Sequence, residues 1–139
     1  MKDTLQFKIN ATELQAFQLL QPKSAFDPNT IEFKIQLEHK MDTKQSLLAV
    51  ICSINLMSNK DLLGSITVNC LYWVEDLDKI STLKKNKKQL GFLIDAVNAI
   101  SISTTRGFLA ATTRGTFLQT VILPIIDPRQ LKTQLETEF

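Results

Sequence analysis

Few residues in this sequence could carry out acid–base, nucleophilic or metal chemistry. The chain has one histidine, His39, and two cysteines, Cys52 and Cys70. A catalytic histidine needs a nucleophile and an orienting carboxylate, and the spacing around His39 supplies neither. One histidine and two separated cysteines also fall short of a zinc site. The sequence therefore predicts no catalytic residue, no metal and no cofactor, with His39 exposed at the end of a strand.

The two cysteines are predicted to be small buried hydrophobic residues rather than a redox pair. They fall on two strands of one expected hairpin, and they would face each other directly if its turn centred on Asp61. Two cysteines are too few for a disulfide scaffold, so the cytoplasm is the expected compartment. The glycines are scattered at 64, 91, 107 and 115, which excludes a glycine-rich phosphate loop.

The only block of charge is a lysine cluster before the predicted long helix. Its members are Lys79, Lys84, Lys85, Lys87 and Lys88. The net charge is only +2 and no aromatic residues alternate with the lysines, so nucleic-acid binding is not expected. The cluster is interpreted as a solvated loop, with an acidic partner surface as the alternative.

Length and composition predict one globular domain spanning residues 1–139. Apolar residues make up 44% of the chain and charged residues 22%. The longest apolar stretch, Leu47 to Met57, is well short of the ~20 residues that a membrane-spanning helix needs. The amino terminus has no unbroken apolar run typical of a signal peptide. Neither export of this chain nor membrane insertion is therefore expected.

Alternation of apolar and polar residues predicts four strands before any long helix. They are Thr4–Asn10, Ile31–Glu38, Ser46–Ser58 and Leu62–Glu75, the last two forming a hairpin. Residues 11–21 fit neither a strand nor a helix. A helical spacing follows, and Gly115 is expected to end one helix of ~25 residues, which Asn86 and Gln89 would cap. Strands followed by helices predict an α+β fold with a four-stranded antiparallel sheet, a long helix, a crossover loop and a short carboxy-terminal helix.

The apolar connector after the long helix is the strongest functional candidate. Residues 117–126 read FLQTVILPII, whereas loops normally run over the surface and are polar. Either this segment packs into the core or an oligomer interface, or part of it lines a groove for an extended apolar peptide. Asp127 and Pro128 then predict the start of the short helix.

Several of these residues together resemble the carboxy-terminal signature of the SecB protein-export chaperones of bacteria. They are Thr113-Arg114-Gly115-Thr116-Phe117, then Leu123-Pro124-Ile125, Asp127 and Leu131. The order of elements is also similar, so the resemblance spans most of the chain, although motif identity is confined to about residues 105–131. It implies an ATP-independent chaperone that holds unfolded or extended polypeptides in apolar grooves.

The resemblance also implies an assembly and a set of contact residues. The assembly would be a homotetramer, a dimer of dimers with the long helices at its centre, formed through Leu90, Leu93, Ile94, Val97 and Ile100. The crossover wall of the client groove would be Phe117, Leu118, Val121, Ile122, Leu123, Ile125 and Ile126. Two strand residues, Phe7 and Phe33, would add to it.

One departure from the family limits the expected partners. SecB proteins are typically acidic and present carboxylates to the SecA motor, whereas this chain has a net charge of +2. Docking to SecA is therefore not expected, and a dedicated chaperone of one partner, such as a toxin–antitoxin system, fits as well. Two further alternatives stay open. One is a non-catalytic assembly subunit, and the other is a hot-dog-like enzyme, for which Asp95 is the only acid within the helix.

Overall fold

The computed structural model describes residues 6–22, 27–82, 86–127 and 129. Four strands form one antiparallel sheet in the order β1-β4-β3-β2. Their bounds are Phe7–Leu19 for β1, Glu32–Asp42 for β2, Leu47–Ser58 for β3 and Asp61–Val74 for β4. The helices α1, Leu77–Thr82, and α2, Lys87–Thr112, come after them. The predicted α+β class, with strands first and a long helix after, is confirmed.

The β3–β4 hairpin turns through Asn59 and Lys60, which both have positive φ angles, of 48° and 73°. A type I′ turn requires this geometry at both central positions. The hairpin was predicted, but its centre lies before Asp61. As a result Cys52 pairs with Val68 and Cys70 pairs with Val50, so the condition under which the two cysteines would face each other directly is not met.

β1 runs nine residues beyond the predicted end at Asn10, to Leu19. Its pairing with β4 shifts register twice, between Ile9 and Ala11 and between Leu14 and Ala16. Each shift inserts one extra residue, which reverses the face on which the following side chains lie. The two shifts explain why residues 11–21 matched neither periodic pattern.

α2 is a single helix of 26 residues, as predicted, and it continues through the β-branched run from Ile100 to Thr105. Asn86 is its N-cap residue, but the side chain makes no cap hydrogen bond and donates instead to the Lys79 carbonyl. The expected capping box with Gln89 is therefore wrong. The short helix α1, which buries Leu77 and Ile80, was not predicted because six residues are too few for a periodic signal.

α2 packs on β3 and β4, and its apolar stripe fills the space between helix and sheet. Leu93, Ile94 and Val97 are buried there within the single chain, whereas Leu90 and Ile100 are half-buried. All five were predicted to form an interface between subunits. The first three cannot offer surface to another copy while α2 stays on the sheet, because a helix on a sheet buries its widest apolar stripe there.

The crossover, residues 113–127, consists of turns up to residue 120 and irregular backbone after it, without a helix. The short carboxy-terminal helix predicted after it, with Leu131, lies outside the described residues. At its expected start the Arg129 backbone N–H donates to Asp127 Oδ1 at 3.0 Å, and the Arg129 guanidinium pairs with the same carboxylate. That guanidinium holds the pKa of the exposed Asp127 carboxyl below its ordinary value.

Candidate functional site

The side chains considered for catalysis or metal binding lie in the core and are not gathered at an opening. His39 is fully buried, and its Nε2 lies 2.6 Å from Asn98 Oδ1 on α2. The prediction of an exposed His39 is wrong because β2 continues to Asp42, and the alternation that buries Leu37 and Met41 also turns His39 inward. In the described ranges no three His, Cys, Asp or Glu side chains come together as a possible metal site.

Two further polar contacts join the sheet to α2. The Tyr72 hydroxyl donates to the Val97 carbonyl at 3.3 Å and shares a 2.7 Å hydrogen bond with the Ser101 hydroxyl. Cys52 hydrogen-bonds to Thr105, although burial dominates and raises the pKa of its thiol to about 11. A neutral thiol is a poor nucleophile, so Cys52 has the structural role predicted for it. Cys70 is likewise buried as a free thiol.

The crossover backbone is held against α2 by one side chain. Arg106 donates from Nε to the Leu123 carbonyl at 3.1 Å and from its terminal nitrogen to the Pro124 carbonyl at 3.0 Å. At the top of the crossover Gly115 has a φ of +76°, and its N–H donates to Gln119 Oε1. Gly115 therefore lies in the turn after α2, two residues beyond the C-cap Thr113 and one position further from the helix end than predicted. Arg106 fixes the returning segment alongside the helix.

The side chains of the crossover divide into an inward and an outward set. Leu118, Val121 and Leu123 are buried and belong to the hydrophobic core. The outward set is Ile122, which is 77% exposed, and Ile125, which is 94% exposed. Phe117 and Ile126 are half-buried and pack against the core. The seven residues predicted as one wall thus divide into those that pack in or against the core and those that face outward. Only Ile122 and Ile125 present large apolar surface.

A close contact fixes where the inward set meets the sheet. Gly64 of β4 has no side chain, and a Cβ there would lie 3.3 Å from Leu118 Cδ1 and 3.9 Å from Leu19 Cδ1. Leu118 therefore lies over β4 beside the end of β1. Any side chain at Gly64 would push against both Leu118 and the Gln18 carbonyl, which would lie 3.0 Å away.

β1 carries a second apolar surface that the helix leaves open. The register pairs Ile9, Leu14 and Leu19 with the buried β4 residues at 72, 68 and 64, so their side chains lie on the helix-facing side of the sheet. They are nevertheless 36–46% exposed, since α2 covers β3 and β4. Leu14 and Leu19 were not predicted as surface residues because the register shifts hide the face that they share.

Phe7 and Phe33 were predicted to extend the groove, and the structure places them far apart. Both are half-buried on the helix-facing side. Phe7 packs edge-on against Tyr72, with ring centroids 6.3 Å apart, at the start of β1. Phe33 lies on β2 in the row of residues that leads through Leu56 and Gly64 to Leu19. The two rings therefore occupy opposite corners of the sheet, and only Phe7 lies on the strand that carries the open surface.

Comparison with known proteins rests on structure. No protein-family profile and no curated protein sequence matches the chain. A solved structure is similar, the Mycobacterium tuberculosis Rv1957 SecB-like chaperone in complex with a ChAD peptide from the Rv1956 HigA1 antitoxin. The TM-score is 0.59 at 13% identity, and the alignment covers 86% of this chain and 90% of that one.

The fold is SecB-like. This likeness extends over both the sheet and the long helix, as the share of the two chains covered shows. At 13% identity it establishes the arrangement of elements and leaves the role of each residue to the local geometry. Within the ranges described, no helix is long and apolar enough to cross a membrane.

Proposed function

We propose that this protein is an ATP-independent chaperone that binds unfolded or extended polypeptide on the apolar surface of β1 and the crossover. The single observation that carries the proposal is the outward exposure of Ile122 and Ile125 on a crossover whose other side is anchored in the core. Side chains this exposed bury little apolar surface within the chain, and neighbouring exposed apolar side chains are typical of interaction sites. The SecB-like fold supports the same assignment.

The arrangement suits a client of variable sequence. An extended polypeptide can place alternate apolar side chains on a flat surface without needing a shaped pocket. Such binding holds the unfolded state by mass action, so it needs no nucleotide and no catalytic residue. The proposal accordingly assigns no enzymatic activity and places the protein in the cytoplasm.

Two kinds of client are compatible with this surface. A broad set of unfolded clients would fit a role in protein export. A single dedicated client would fit the similar chaperone, whose structure holds a peptide from an antitoxin. Docking to SecA is not part of the proposal. The outward residues of β3 and β4, from Leu47 to Met57 and from Ser65 to Trp73, include no carboxylate.

The test is suppression of aggregation. A reduced, unfolding client is mixed with the purified protein at stoichiometric ratio without ATP, and light scattering is followed. We expect the native chain to suppress scattering and Ile122→Asp or Ile125→Asp to lose most of that effect, because a charge on the surface must be desolvated when a client binds. Thr120→Asp is the matched control, since it adds the same charge at an exposed polar position of the crossover.

Two outcomes would contradict the proposal. One is a native protein that leaves scattering unchanged. The other is an Ile122→Asp variant that suppresses scattering as well as Thr120→Asp does. To separate broad from dedicated binding, a panel of unrelated unfolded clients is compared. Similar suppression of all of them supports the broad role, and suppression of one client with no effect on the others supports the dedicated one.

We further propose that the chain forms a homo-oligomer, as a dimer of dimers, through the outer face of α2. This face is defined by Phe92, Ala99, Ser103 and Gly107, which are all exposed. Phe92 is 67% exposed, and the small residues after it would let another helix approach closely. The half-buried Ile100 can contribute at its margin, whereas Leu93, Ile94 and Val97 cannot. Leu90 lies seven residues before Val97, on the same inner stripe, and packs against the core. A purely structural assembly subunit remains the alternative, in which other copies also cover Ile122 and Ile125.

A further inference from the structure

The only histidine of the chain occupies a closed site between β2 and α2. Its Nε2 faces Asn98 Oδ1 at 2.6 Å. Because an amide oxygen can only accept, Nε2 carries the proton, and the neutral ring leaves Nδ1 as a bare acceptor. Nδ1 is buried and has no hydrogen-bond partner among the residues that the structure describes.

The surroundings of His39 offer no charge to balance a second proton. On β2 its sequence neighbours Glu38 and Lys40 are exposed and lie on the opposite face of the sheet. The titratable groups on the helix-facing side of the adjoining strands are Cys52, Cys70 and Tyr72, and those on α2 are Lys87, Lys88, Asp95 and Arg106. In the described part of the chain none of them perturbs the ring. Burial lowers the pKa of His39, and the Asn98 hydrogen bond opposes this only in part.

We propose that His39 is an acid-sensitive latch that holds α2 on β2 while its ring is neutral. A protonated ring would bring a charge into a dry interface and would give Nδ1 a proton with no acceptor. Acid therefore favours the opened contact, in which His39 can take up a proton in water. Since Arg106 ties the crossover to α2, release of the helix also loosens the crossover.

The direction of the pH effect on stability follows from the linkage between proton binding and folding. His39 in an opened or unfolded chain binds its proton near the ordinary value of about 6.5, whereas the closed site binds it only at lower pH. The stability of the closed state is therefore complete above about pH 7 and falls as the pH drops below about 6.5. It levels off once the pH passes below the lowered native pKa. This inference does not depend on the chaperone proposal, because it concerns the docking of α2 with or without a client.

The test is urea unfolding of the full chain at pH 7.5 and pH 5.0, for the native protein and for His39→Gln. Glutamine keeps an N–H donor for Asn98 and does not titrate. The carboxylates contribute to both proteins alike, so the difference isolates His39. We expect acidification to raise the unfolding equilibrium constant of the native protein by up to about 30-fold more than that of the variant. An equal pH response of the two proteins would overturn the proposal.

Two further measurements keep the proposal testable if His39→Gln does not fold. Asn98→Asp puts a carboxylate where the amide lies, so a protonated His39 gains a partner, and we expect this variant to lose stability as the pH rises instead. A fall in its stability on acidification parallel to that of the native protein would count against the latch. The single histidine also gives one resolved proton resonance in NMR. We expect its native-state midpoint to lie below 6.5, and a native midpoint at or above 6.5 would overturn the proposal.

Discussion

Lys60 is a residue whose type conflicts with its backbone conformation. It has a φ of 73° at the second central position of the β3–β4 turn, where glycine is the usual residue. A side chain in this left-handed region costs roughly 1–2 kcal/mol. We expect Lys60→Gly to raise the free energy of unfolding by about 1 kcal/mol, measured by urea denaturation. Lys44→Gly is the control, because Lys44 lies in the turn between β2 and β3 without a positive φ and should give no gain.

Cys52 provides a second prediction for a single residue. Its thiol is fully buried, and its pKa is raised to about 11. At pH 8 we expect alkylation of the native protein to proceed only as fast as the chain opens, many times more slowly than in urea. Thr120→Cys supplies an exposed thiol in the same protein and should react at once. Native Cys52 reacting as fast as that added cysteine would show that the interface between sheet and helix is open.

Arg106 links α2 to the crossover, and its replacement should loosen the crossover. Arg106→Met keeps most of the aliphatic packing but removes both hydrogen bonds to the crossover carbonyls. We expect the free energy of local opening to fall by ~1–2 kcal/mol. Hydrogen exchange of residues 121–126 should accelerate accordingly, while exchange of β3 and β4 stays unchanged. Arg114→Met is the matched control from the second Thr-Arg-Gly sequence, and its exposed side chain is expected to matter little.

Regular periodicity determined which elements could be predicted. β3 and α2 each keep one phase over at least twelve residues, and β4 keeps one phase from Gly64 to Val74, so alternation and helical spacing identified them. β1 changes phase at Asn10 and again at Gln15, and no single period describes it. His39 was wrongly predicted to be exposed, because its polar side chain indicated the end of a strand that in fact continues to Asp42. Its buried partner Asn98 is 59 residues away, and local sequence cannot reveal that pairing.

The candidate surface was predicted only in part, for a related reason. The apolar composition of residues 117–126 drew attention to the crossover. Composition could not show that Leu118 and Leu123 face the core while Ile122 and Ile125 face outward. That division depends on Gly64, which leaves room for Leu118, and on Arg106, which fixes the Leu123 carbonyl. Both contacts span long stretches of the chain.

Assembly is the question for the whole molecule. If copies meet through the outer face of α2, a large side chain at Gly107 should keep them apart. A Cβ at Gly107 meets nothing within 4 Å in the single chain, so Gly107→Leu should leave the fold intact. We expect a lower mass by light scattering with an unchanged circular dichroism spectrum. Gly91→Leu makes the same change on another side of the same helix, and equal masses for the two variants would contradict this interface.

The two register shifts in β1 have a consequence for the solubility of the whole molecule. A long apolar edge strand is a template on which other chains can stack into fibrils. The shifts divide this edge into uninterrupted runs of residues 7–9, 11–14 and 16–19. A strand from another chain that pairs with one run is out of register at the next run unless it carries matching insertions. β1 can thus keep an apolar surface for transient contacts and still resist the growth of cross-β aggregates.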